Sequence, residues 1–136
     1  MTEMDNKLID DIEIAPPSVV KQSARDFAAA LSETTQFIVF EQAAYAFRHD
    51  QTAQQAMQAY QQKQQALRAL VMLNTLSLEQ RNDLEHLYNA FNSQPVVQEY
   101  FRAQMELASL CQALGDVLSE SIGLNYAAAC GVSCCG

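Results

Sequence analysis

Three of the chain's four cysteines fall in its last seven residues, CGVSCCG: Cys130, Cys134 and Cys135. Thiolates are the natural ligands of zinc and of iron–sulfur clusters, and either centre normally takes four donors. Three thiols here come from one short segment, with Gly131 and Gly136 admitting the tight backbone angles that wrapping a metal requires. A fourth donor would come from a partner protein, a second copy of the chain, a bound small molecule, or His86 or His49. Adjacent Cys134 and Cys135 crowd a single centre, and sharing them between two chains would relieve that crowding. Thiol redox chemistry, and a terminus of small residues with no role, are the readings without metal. A structural disulfide fits poorly, because a vicinal pair is strained and the expected compartment is reducing.

The fourth cysteine is of another kind. Cys111 stands between Leu107 and Leu114 on an apolar stripe, which predicts a packed core thiol rather than a ligand. Other chemistry is thin. A carboxylate-bridged di-iron bundle needs two Glu-x-x-His pairs and two further glutamates, whereas Asp83-x-x-His86 is one fragment without a second copy and reads as a surface contact. Glu41 is expected on or beside an inner stripe, partly buried and paired with Arg48 or Arg102. No phosphate-binding glycine loop, nucleophile elbow or supporting Cys–His couple occurs, so an enzyme is not expected.

The elements that position these groups are helical. The chain has 136 residues, 49% hydrophobic, with four glycines, three prolines and no tryptophan, which suits one domain with an α-helical core. Sixteen acids against eight bases give a formal charge of -8, which repels nucleic-acid backbones and argues against direct RNA or DNA binding. The opening MTEMDNKLIDDIEIAPP carries five acids and no continuous apolar run, and no later stretch reaches membrane-spanning length. A cytoplasmic protein with no membrane contact is therefore expected.

Residues 1–17 read as an acidic, flexible lead in which Pro16-Pro17 stops regular structure, 18–123 as the helical domain, and 124–136 as the cysteine-containing tail. From Ser18 a helical period sets Val20, Ala24, Phe27, Leu31, Thr34, Ile38 and Tyr45 near one face. Asp50 is the predicted N-cap of a second helix with Ala53, Met57, Tyr60, Leu67, Leu70 and Val71 inward. Its outer face is rich in glutamine, and from Gln51 to Leu78 there is no acid, only Lys63 and Arg68. That face is either plainly solvated or a low-charge docking face. Ser77-x-x-Gln80 has the form of a capping box opening a shorter helix with Leu84, Leu87, Tyr88 and Phe91 inward. Pro95 suits the first turn of a long helix whose stripe runs through Val97, Phe101, Leu107, Cys111, Leu114, Leu118 and Ile122, with Gly123 as its stop. The expectation is an all-α bundle of two long and two shorter helices.

Three stretches give the chain a resemblance: LSETTQFIVFEQAAYAFRHDQTAQQAMQAYQ, FNSQPVVQEYFRAQMELASL and the CGVSCCG tail. From about Phe27 to Tyr126 it resembles the YlbF/YmcA family of small helical bacterial proteins. The resemblance implies a bundle of long antiparallel helices, usually oligomeric, without an active site of its own. It also implies assembly with related helical proteins and an unrelated third protein, holding iron–sulfur clusters of the four-iron type and modulating the endoribonuclease RNase Y in mRNA processing. In such assemblies the ligands come from tails of more than one subunit. Cys130, Cys134 and Cys135 are the residues expected to bind the cluster, with zinc as the alternative metal. Homo- or hetero-oligomers and a ribonuclease complex are the expected partners.

Overall fold

A computed structural model of the chain describes residues 16–123 together with Asn125 and Ala128. The described residues form six helices: α1 (Pro17–Ser32), α2 (Thr35–His49), α3 (Gln51–Ala66), α4 (Arg68–Met72), α5 (Leu78–Asn92) and α6 (Pro95–Ile122). They bear out the all-α expectation, and no strand occurs among them. The chain divides into two compact units, Met1–Thr34 and Thr35–Gly136.

In the first unit the described element is α1. Pro17 occupies its first turn rather than halting structure, because the N–H that proline lacks has no helical partner there. The sequence predicts one helix running on through Tyr45, but the chain breaks after Ser32. The Ser32 hydroxyl donates to the Ala29 carbonyl at 2.6 Å and the Thr34 hydroxyl to the Leu31 carbonyl at 2.7 Å. Backbone bonds from Glu33 to Ala30 and Thr34 to Leu31 tighten the turn to a three-residue step. Side chains that bond their own backbone compete with the helical ladder, and two in a row end it.

The second unit is an antiparallel hairpin two helices thick, each arm made of two helices. Asp50 separates α2 from α3 as predicted, its carboxylate accepting from the Ala53 N–H at 2.8 Å. The second helix is also shorter than the pattern predicts: it stops at Ala66, Leu67 leaves helical geometry, and α4 makes the tip. Ser77 and Gln80 then form both bonds of the capping box, at 3.1 and 3.0 Å, and start the return arm. Pro95 sits in the first turn of α6, and Gly123 ends it at φ +70°, in the left-handed region that favours glycine.

α3 packs on α5 and α2 on α6. Tyr60 meets Tyr88 with ring centroids 5.6 Å apart, and Lys63 Nζ reaches Asp83 Oδ2 at 3.3 Å, which sets the register of the α3–α5 half. Near the corner, Phe47 stacks on Tyr100 at 5.2 Å and meets Phe91 edge-on at 6.1 Å, while Phe40 also reaches Tyr100 at 5.7 Å. Aromatic pairs of this kind contribute about 0.5–1.5 kcal/mol each beyond the area they bury. The residues buried within this seam are small or compact: Ala43, Ala53, Leu67, Val97 and Ala103. Three alanines let the backbones approach, while a hairpin two helices thick leaves each helix's outer face uncovered.

Candidate functional site

Cys130, Cys134 and Cys135 lie outside the described residues. Among those described, no group of three or more His, Cys, Asp or Glu side chains could hold a metal ion. His49 and His86 are both exposed. The Nδ1 of His49 lies 2.8 Å from the Tyr45 carbonyl and its ring stacks on Tyr45 at 4.0 Å, so its free ring nitrogen is Nε2. Asp83 is exposed and tied to Lys63, which agrees with a surface role for the Asp83–His86 fragment.

Two expectations are corrected. Cys111 is exposed, not packed in the core: the partly covered side of α6 runs through Leu107, Leu110 and Leu114, and Cys111 stands beside it. Glu41 is exposed as well, and neither proposed partner binds it: Arg48 Nε donates to the Ala44 carbonyl at 3.2 Å, and Arg102 pairs with both carboxylate oxygens of Glu99, at 2.7 and 2.8 Å. The hydrogen bond and charge of Glu99, with the charge of Glu106 added, raise the Arg102 guanidinium above its ordinary range. Glu41 and Arg48 instead rim an open groove of ≈ 420 Å³ floored by Phe37, Phe40, Phe47 and Tyr100.

The glutamine face of α3 is solvent-facing apart from half-buried Gln54, whose Nε2 donates to the Phe47 carbonyl at 2.9 Å and fastens the α2–α3 corner. What the structure presents on its surface is apolar. Val20, Phe27, Ile38, Tyr45, Val71, Phe101, Leu118 and Ile122 were expected inward and are all exposed. For the helices of the hairpin the reason is geometric: a period of 3.6 identifies a face, and in a two-layer hairpin only one face per helix finds a neighbour.

Three groups of uncovered side chains result. α1 offers Val19, Val20 and Phe27; the α4 tip offers Val71, Met72, Leu73 and Leu78; the last turns of α6 offer Val117, Leu118 and Ile122. Sequence reasoning missed the tip, although the apolar run LVMLNTLSL around Asn74 was the signal. Asn74 takes a positive φ of 53°, which asparagine tolerates and which turns the chain sharply there. Single exposed apolar residues are ordinary, but runs of them along helix faces mark places where proteins bind proteins. No described helix is long and apolar enough to cross a membrane.

No curated protein is similar enough to this chain to count as a match. The sequence model of a family described as "Control of competence regulator ComK, YlbF/YmcA" matches residues 20–123, from α1 through the C-terminal stop of α6. The match takes in all six helices and ends before the cysteine tail, so on the helical domain the chain belongs to the YlbF/YmcA family.

Proposed function

We propose that this protein is a non-enzymatic regulator that acts by assembling with other proteins through its uncovered helix faces and that carries an iron–sulfur cluster on its C-terminal cysteines. The observation that carries the assembly reading is the set of large apolar side chains exposed on α1, the α4 tip and α6. Family membership supports the regulatory part, since the family is described by control of a competence regulator. The cluster part is supported by the donor set: Cys130, Cys134 and Cys135 within six residues, flanked by glycines. Such a cluster would supply a redox- and iron-sensitive cross-link between chains, with a fourth donor from a partner or a second copy. The output in this reading is altered mRNA processing by a ribonuclease of the RNase Y kind, reached through protein contacts because the charge of -8 disfavours RNA itself.

The test is purification without oxygen, with the visible spectrum, iron and sulfide measured on one sample. A blue-violet absorption band with matched iron and sulfide, lost when Cys130, Cys134 and Cys135 are all changed to serine, is the expected result. A colourless protein with zinc would keep the ligands and remove the redox logic. A colourless, metal-free protein after anaerobic reconstitution would sink the cluster and leave the second reading, a metal-free assembly protein. That reading draws on the same exposed faces and predicts that the triple serine variant binds its partners unchanged.

A further inference from the structure

We propose that the α4 apex of the hairpin docks on an anionic lipid surface, its apolar side chains entering the interface while the rest of the hairpin stays in water. This goes beyond the assembly reading, which keeps α1 and α6, and gives the tip a partner of another kind. The expectation of no membrane contact rested on the lack of a spanning segment, and peripheral docking needs none.

Shape favours a lipid interface over a protein face. Met72 is 77% exposed, Leu73 71%, Leu78 74% and Val71 47%. Successive helical residues point about 100° apart, so Val71, Met72 and Leu73 together span more than half the circumference of α4. A flat protein face covers one side of such an apex, whereas a fluid interface envelops all of it. The open groove beside Phe47 and Tyr100, and a flatter one beside Phe101 and Met105, hold no apex residue. The tip also keeps its shape: Leu67 is buried and Leu70 and Leu76 are half-buried, so its inward side is filled. Its backbone suits a medium poor in water, where an unbonded N–H is costly. The N–H groups of Val71, Leu73, Asn74 and Thr75 donate to the carbonyls of Leu67, Ala69, Val71 and Leu70 at 2.9–3.1 Å.

Charge selects the kind of lipid. From Gln51 to Asp83 the chain carries Lys63, Arg68 and Arg81 against Glu79 and Asp83, a net +1, which leaves -9 on all the other residues. This is therefore the end with which the protein meets an anionic surface at least cost. Asp83 is taken up by Lys63 at 3.3 Å, and Arg68 and Arg81, both exposed, outweigh Glu79. In the last turns of α3, next to the tip, Gln61, Gln62, Gln64 and Gln65 present amides, which leave water more cheaply than acids would.

The chain has no tryptophan, so Leu73→Trp sets a single reporter at the apex, and Met105→Trp sets a control on α6 at the same 71% exposure. Each full-length variant is mixed, under reducing conditions, with vesicles of phosphatidylglycerol and phosphatidylcholine in equal parts, or of phosphatidylcholine alone. Emission wavelength and quenching by brominated lipid are read, and circular dichroism checks that helicity matches the parent. Leu73→Trp is expected to shift to the blue and be quenched on the anionic vesicles, and Met105→Trp to do neither. In cosedimentation, Met72→Ser with Leu78→Ser should weaken vesicle binding about thirtyfold, and Arg68→Gln with Arg81→Gln about tenfold. No shift at the apex would overturn the proposal and return the tip to the protein-binding faces. Equal shifts at both sites would overturn it too, as would variants that bind the anionic vesicles as the parent does.

Discussion

The two halves of α6 carry one apolar stripe and meet opposite fates. Ala103, opposite α2, is 1% exposed, whereas Val117, two heptads further along, is 58% exposed. The sequence gives no mark at which one condition passes into the other, since both halves have the same period and similar residues. The difference lies in the length of the neighbour: α2 ends and α6 continues. An apolar stripe states that a face will be covered, and among the described residues of this unit only the part opposite α2 is covered. Where the chain supplies no cover, the stripe reads as a request for another protein.

The sharpest way to break that contrast is to place the same charge in both halves. Val97→Asp puts a carboxylate where the side chain is wholly buried and no polar partner waits, and should cost on the order of 4 kcal/mol in denaturant unfolding, enough to unfold a marginal domain. Val117→Asp should leave the unfolding free energy of the monomer within about 0.5 kcal/mol while weakening association. Equal losses at both sites would mean that the distal half is covered within the chain. A smaller effect separates arms rather than halves. Ser77→Ala removes the capping box that starts the return arm and should cost about 1 kcal/mol, read as a lower denaturation midpoint with an unchanged slope. The smallest concerns the ion pair that ties α3 to α5. Asp83→Asn should change stability by well under 1 kcal/mol, because both partners are substantially exposed and water screens them.

Most of the local punctuation was legible in the sequence. Asp50, the Ser77–Gln80 box, Pro95 and Gly123 do what their types dictate, since capping and left-handed stops are settled within a few residues. The breaks at Ser32–Thr34 and Leu67 were not legible, because neither contains glycine or proline and each depends on hydroxyl back-bonding or on how the tip turns. The inward assignments of Tyr45 and Ile122 failed for one shared reason. They correctly named apolar faces and assumed that this chain would supply the helices to cover them. Glu41 failed differently: its expected burial followed from a stripe that proved to be open groove.

The nesting of the hairpin also bears on how it forms. α3 and α5 are joined by a short connection through α4, whereas α2 and α6 are separated by everything from Asp50 to Gln94. Closing a long loop costs entropy before any contact rewards it, so the outer pair alone would be the slower to meet. Once the inner pair has zipped, His49 and Pro95 are already neighbours and the outer pair inherits a loop of almost no length. Assembly is therefore expected to proceed from the tip toward the corner and then along α2. The stretch of α6 that runs past α2 is then the last part of this unit expected to become ordered, since it waits on the pairing of α2 with the rest of α6.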